Sequence, residues 1–323
     1  MRQDRPVESL AELRDVAGKV HAAMSGVIQG KDEVLRTVVT VLLAEGHLLI
    51  EDVPGVGKTM LARALGRTVD CSVQRIQFTP DLLPSDITGV SVFNQDTHHF
   101  EFRPGAVFAN VVVGDEINRA SPKTQSALLE AMAESQVTVD GHTYRLEVPF
   151  MVMATQNPIE MEGTYPLPEA QRDRFMARIS MGYPDAAAEL EMIGAHSASD
   201  PLAALRPVTD AGTVARLVMA VRGVYASPAV LQYVVDLAAA SRRHSRLRLG
   251  CSPRAALHLV RAARAHAALE GRDYVLPDDI QQLAVPVLAH RVILSSDAQL
   301  ARDTPESIIT DLLAEVAVPA AVG

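Results

Sequence analysis

The stretch that most constrains this chain is Ile50-Glu51-Asp52-Val53-Pro54-Gly55-Val56-Gly57-Lys58-Thr59. An apolar run, His47-Leu48-Leu49-Ile50, feeds a glycine-bearing loop. The loop ends in Lys-Thr and opens a helical pattern, Met60-Leu61-Ala62-Arg63-Ala64-Leu65. Strand, tight loop and helix in that order make a cradle for a phosphate. Gly55 and Gly57 lack Cβ, so the backbone can wrap closely and aim its N–H groups inward. The start of the helix adds the positive end of its dipole. Lys58 can reach the β- and γ-phosphates of a nucleotide, and the Thr59 hydroxyl can ligate Mg²⁺. The usual pattern, G-x-x-x-x-G-K-[ST], asks for glycine at position 52, where this chain has Asp52. A Pro-Gly turn before an ordinary helix would use the same residues. The order of the elements favours the phosphate loop.

Length and composition frame the rest. A chain of 323 residues can hold two domains, each with its own core. Apolar residues make up 48% and charged residues 21%, an ordinary globular balance. No apolar run approaches the roughly 20 residues of a membrane span. No apolar core follows Met1-Arg2-Gln3-Asp4-Arg5-Pro6, so no signal peptide is expected. Two distant cysteines, Cys71 and Cys251, suggest a reducing compartment and not a disulfide framework. The expected location is the cytoplasm, with no membrane insertion. The net charge of −9 weighs against nucleic acid as the main partner.

Periodicity predicts helices over 8–26, 31–45 and 58–69, and strands over 47–51 and 73–78. Ser91–Asn94 and His99–Phe102 flank a polar tip and predict one hairpin. Gln136–Val148, with Asp140-Gly141 at its turn, predicts another. Val111–Gly114 and Met151–Thr155 are continuous apolar runs, as buried parallel strands require. After Tyr183-Pro184 the chain turns Ala/Leu/Arg/Val-rich. Helices are expected at about 185–197, 209–224, 228–244, 252–270, 277–294 and 305–315. The expected architecture is an α/β parallel-sheet core over residues 1–184 with an all-α domain over 185–323.

Three further signals converge on nucleotide chemistry. The strand at 111–113 runs into Asp115 and Glu116, 57 residues after Lys58. A carboxylate at such a strand end can hold Mg²⁺ through water, and the next can polarise an attacking water. The strand at 151–155 ends near Asn157, which can touch a γ-phosphate or place the water. In Glu169-Ala170-Gln171-Arg172-Asp173-Arg174, Arg174 can stabilise charge on a transferring phosphoryl group, with Arg172 a rival two residues away. In Gly250-Cys251-Ser252-Pro253-Arg254, Ser252 is a good N-cap and Pro253 suits the first helical position. Arg254 then falls in the first turn, where a cation gains nothing from the dipole. That placement points to a ligand.

The chain resembles the AAA+ ATPases, and among them the MoxR family, over about residues 8 to 295. The residues that carry the likeness are EDVPGVGKT (51–59), RIQFTPDLLPSDITG (75–89), VVVGDEINRA (111–120), ATQNPIEMEGTYPLPEAQRDRF (154–175), GYP (182–184) and GCSPRA (250–255). Asp52 belongs to that family's form of the loop. The resemblance implies a P-loop AAA+ core with a C-terminal helical lid, binding ATP and Mg²⁺. It implies Walker A groups at Lys58 and Thr59 and Walker B groups at Asp115 and Glu116. Sensor 1 would be Asn157, the arginine finger Arg174 and sensor 2 Arg254. The nucleotide would also lie against Ile28, Gly30, Pro54, Gly55, Val56, Gly57 and Met60. The resemblance further implies a ring, with a hexamer as the family expectation, and ATP-driven, chaperone-like remodelling of a client enzyme or a protein with a von Willebrand factor A domain. Rival readings are a magnesium-chelatase-like motor subunit and a nucleic-acid motor. The latter rests on Arg242, Arg243, Arg246 and Arg248.

Overall fold

The computed structural model describes residues 6–53, 55–157, 163–183, 189 and 201–319. Pro54, almost all of the helix expected near 185–197, and the boundary expected at 184–186 lie outside the described residues.

Three apolar runs build the centre of a parallel sheet. The strands in chain order are β1 (Leu48–Glu51), β2 (Val73–Gln77), β3 (Gly89–Asn94), β4 (His99–Pro104), β5 (Val111–Asp115), β6 (Gln136–Val139), β7 (His142–Arg145), β8 (Met151–Gln156) and β9 (Ala177–Ile179). The main sheet runs in the order β2-β5-β8-β1-β9. Every residue of β5 is buried, as are the first five of β8, which is why those sequences do not alternate. The register sets the site. Ile50 lies opposite Thr155, Gly114 opposite Ala154, and Gln77 opposite Asp115. The chain therefore leaves β1 at Asp52, β5 at Glu116 and β8 at Asn157, all at the carboxyl edge, where open α/β sheets place their ligands.

Two helices of the same part of the chain bury their apolar residues. Asp32–Leu43 starts with Asp32 and Glu33 at its positive end and buries Leu35 and every residue from Val38 to Leu43. Lys58–Thr68 buries Leu61, Ala62, Ala64 and Leu65. His47 is fixed between elements: one ring nitrogen pairs with the Met132 carbonyl at 3.0 Å and the other accepts the Val152 N–H at 3.0 Å. Both predicted hairpins form, β3 with β4 and β6 with β7, the second turning at Asp140-Gly141. Phe102 of β4 stacks on Tyr144 of β7 at 4.0 Å.

The chain divides into two compact units. Residues 18–167 and 179–215 form one, and residues up to Ala17, 168–178 and 216 onward form the other. The second is built on the helices Pro228–Arg243, Pro253–Leu269, Pro277–Leu288 and Pro305–Glu315. Ser227, Ser252 and Thr304 cap three of these with side-chain oxygens, and proline follows each cap. The helix expected over 277–294 stops at Leu288. A 3₁₀ turn, Ala289–Arg291, follows it. Ile293–Leu294 then pairs antiparallel with Leu247–Leu249, so the helical domain also carries a small ribbon. The β-branched pair Val292-Ile293 suits extended backbone, and an available partner strand outweighs the apolar periodicity. The short helix Glu169–Arg172 and strand β9 carry no periodic signal in sequence because each is only a few residues long.

Candidate nucleotide site

Gly55 and Gly57 take φ angles of 87° and 90°, the left-handed region where a side chain would be strained. The helix that follows has no side-chain cap and no acidic residue in its first turn. The helices after Ser121, Ser227 and Ser252 are capped by hydroxyls. The first N–H groups of Lys58–Thr68 are thus left for an anion, and the loop fits a phosphate.

Lys58 Nζ donates to the Asp52 carbonyl at 2.8 Å. Burial pulls its ammonium below the ordinary 10.5, against the opposing pull of Asp52, Asp115 and Glu116. Thr59 Oγ1 donates to Asp115 Oδ2 at 3.2 Å. A hydroxyl beside a carboxylate is a set of hard oxygen donors. It suits Mg²⁺, which takes one or two carboxylates together with nucleotide phosphates. Asp115 is buried and also accepts Arg75 Nε at 2.7 Å and Thr155 Oγ1 at 3.1 Å.

Glu116 sits at φ 58°, ψ 51°, an unusual backbone for a residue with a side chain. The Thr155 hydroxyl accepts its N–H at 2.9 Å. Its carboxylate accepts Gln77 Nε2 at 3.1 Å and Arg119 Nε at 3.0 Å. Asn157 is buried just past the end of β8. Val56 and Met60 are half-buried along the loop and the first turn. Ile28 is buried, Gly30 takes φ 67°, and the adjacent Lys31 donates to the Tyr183 carbonyl at 3.0 Å.

Sequence reasoning missed the use made of Asp52. Its Oδ2 accepts the N–H groups of Met181 at 2.6 Å and Gly182 at 2.7 Å, and the Ser180 hydroxyl at 3.1 Å. Its Oδ1 accepts the Val53 N–H at 2.9 Å. The aspartate thus ties the entrance of the loop to a segment 128 residues further on. Arg75, Gln77 and Thr155 were also not singled out. The only signal available for them was their position on strands flanking Asp115 and Glu116.

Arg174 and Arg254 belong to the second unit. Arg254 Nη1 lies 3.8 Å from Asp173 Oδ2. Arg174 directly follows Asp173, at the end of the short helix, and its N–H donates to the Gln171 carbonyl at 3.1 Å. Of the arginines read as a basic cluster, Arg242 Nε donates to the Cys251 carbonyl at 2.8 Å. Arg246 is paired with Asp303 and Asp311.

Residues 47–177 match the model of the "ATPase family associated with various cellular activities (AAA)", and residues 239–312 match an AAA lid domain. The fold and loop are those of an AAA ATPase, a class of nucleotide-binding proteins. Over 302 residues the chain is 42% identical to Chaperone MoxR1 of Mycobacterium tuberculosis, covering 91% of this chain and 80% of that one. It is 34% identical to Protein MoxR of Paracoccus denitrificans, covering 96% and 97%. It is 49% identical to YeaC of Bacillus subtilis, a protein without an assigned role, covering 95% and 96%. The 2.00 Å crystal structure of a Cytophaga hutchinsonii protein provisionally named an ATPase superposes with a TM-score of 0.90 at 39% identity, covering 97% of each chain. The chain belongs to the MoxR family of AAA+ ATPases. Among the described residues no helix is long and apolar enough to cross a membrane.

Proposed function

We propose that this protein hydrolyses ATP with Mg²⁺ and uses the energy, as a closed ring, to remodel a partner protein in a chaperone-like way. The observation that carries the reading is the contact of Thr59 with Asp115 at 3.2 Å, beside an uncapped helix start that carries Lys58. Bound ATP supplies the transferable phosphoryl group, and Mg²⁺ offsets charge on its phosphates. Lys58 and the loop N–H groups bind and orient the phosphates. Thr59 and Asp115 hold the metal. Glu116 orients the attacking water and accepts its proton, and Asn157 fixes that water's position. Ile28, Gly30, Val56 and Met60 line the nucleotide, with Pro54 in the same loop.

Arg174 acts on the nucleotide of a neighbouring subunit. A head-to-tail interface that closes on itself gives a ring, and six subunits is the family expectation. Arg254 supplies a second cation from the lid. The name of the mycobacterial relative, Chaperone MoxR1, favours protein remodelling. The partner we favour is a client enzyme undergoing maturation or metal-cofactor insertion, or a protein with a von Willebrand factor A domain. The intramolecular use of Arg242 and Arg246 leaves the nucleic-acid reading with little support.

The test is phosphate release with ATP and Mg²⁺. The parent protein turns over, EDTA stops it, and Arg174→Ala binds ATP but loses roughly a thousandfold or more in rate. Turnover by Arg174→Ala at the parent rate sinks the assignment of that arginine.

A further inference from the structure

Arg174 sits between two gripped residues. Before it, Asp173 Oδ1 accepts the Ser252 hydroxyl at 2.7 Å and Arg291 Nη1 at 2.7 Å. After it, the Phe175 carbonyl pairs with His290 Nε2 at 3.1 Å and accepts Arg291 Nη2. Arg291 is buried, and Nη2 also meets His258 Nδ1 at 2.7 Å. Burial brings its guanidinium down to about 10, so it remains a cation at neutral pH.

Ser252 is what makes this more than a buried ion pair. It is the N-cap of Pro253–Leu269, and its oxygen accepts the Ala255 N–H at 3.1 Å. The same hydroxyl donates to Asp173. One carboxylate therefore joins the first turn of the helix that carries Arg254 to the residue just before Arg174. Arg254 itself lies 3.8 Å from the other oxygen of that carboxylate, a loose contact it can leave without breaking the link through Ser252 and Arg291.

We propose that Asp173 is a positioning residue that holds Arg174 and Arg254 in one frame, so that the arginine offered to a neighbour's nucleotide moves with the lid helix. This rests on the ATPase reading above. A role in folding alone would be served by Asp173 and Arg291. The bond to the N-cap of Arg254's own helix adds the coupling.

Mixed subunits provide the test. Arg174→Ala subunits keep an intact nucleotide site, and Glu116→Gln subunits keep an intact Arg174. Mixing them is expected to restore ATP turnover well above either alone. The same mixture is then made with Glu116→Gln/Asp173→Asn as the donor of Arg174. Recovery is expected to fall roughly tenfold, while that donor binds ATP as the Glu116→Gln protein does and melts at a lower temperature, because Arg291 loses its buried partner. A second donor, Glu116→Gln/Ser252→Gly, keeps a residue tolerated at an N-cap and removes the side chain that carries the hydroxyl, leaving the Asp173–Arg291 pair in place. It is expected to show the same loss in milder form, and it decides the matter if Asp173→Asn fails to fold. Full recovery with a folded Asp173→Asn donor, or with the Ser252→Gly donor, overturns the coupling and leaves the ATPase reading standing. No recovery with Glu116→Gln itself overturns the assignment of Arg174, and the coupling falls with it.

Discussion

Thr155 orients Asp115: its hydroxyl donates to one carboxylate oxygen at 3.1 Å, while Thr59 and Arg75 meet the other. The same hydroxyl accepts the Glu116 N–H at 2.9 Å. A single buried threonine on β8 thus fixes both carboxylates at the end of β5, and Glu116 holds its left-handed backbone partly through that bond.

Thr155→Val keeps the volume and deletes both bonds. It leaves the Glu116 N–H and one Asp115 oxygen short of a partner. The expected cost is about 2 kcal/mol of stability, measured by urea unfolding. Turnover is expected to drop roughly tenfold or more, with KM for ATP moving much less. Parent-like kcat in this variant contradicts the orienting role.

Asp52→Ala removes the acceptor for Met181, Gly182, Ser180 and Val53. The expected loss is roughly 2 kcal/mol in chemical denaturation, because buried donors lose their partner. Asp52→Gly, which restores the more general loop pattern, is expected to lose about as much. Recovery of full stability by Asp52→Gly argues that the carboxylate matters only for the loop's backbone angle.

Lys58→Ala and Glu116→Gln separate binding from turnover. Loss of the Lys58 ammonium removes charge-assisted contacts worth about 2 kcal/mol, so titration of a fluorescent nucleotide should show roughly thirtyfold weaker binding. Glu116→Gln is expected to bind normally and turn over at least about a hundredfold more slowly. Equal turnover by Glu116→Gln and the parent rules out Glu116 as the group that activates water.

The lid unit has its own acid sensitivity. Asp279 is buried, and burial alone would raise its pKa. Hydrogen bonds from Arg272, His266 and the Leu276 N–H outweigh this and bring it from 3.8 to about 2. A carboxylate with a lowered folded pKa contributes stability that is present above its unfolded value and lost as pH falls through its folded one. Thermal unfolding is therefore expected to show stability falling as pH drops from about 4 toward 2. Asp279→Asn should flatten that dependence and cost roughly 3 kcal/mol at neutral pH. An unchanged slope in Asp279→Asn assigns the acid sensitivity to other carboxylates.

Much of the architecture was legible locally. The apolar runs of β1, β5 and β8 lack alternation because both faces of the sheet are covered, and that pattern marks a parallel core. The loop from Gly55 to Thr59 carries its own constraints in glycine, lysine and hydroxyl. Asp115 and Glu116 could be found because a charge at the end of an apolar run is visible in one dimension. The cap at Ser252 could be read because it acts within three residues.

Contacts between distant segments were not legible. Short-range geometry and periodic burial dictate the phosphate loop, the strands β1, β2, β5 and β8, both hairpins and the helix capped by Ser252, so each is readable from the chain alone. The folded chain alone shows that Asp52 pins the segment at Ser180–Gly182, that Thr155 governs Asp115 and Glu116, and that Asp173 joins Arg174 to the helix of Arg254. Those links depend on strand register and on which helix end meets which loop. A hydrogen bond between residues tens to more than a hundred positions apart leaves no periodic trace in the chain.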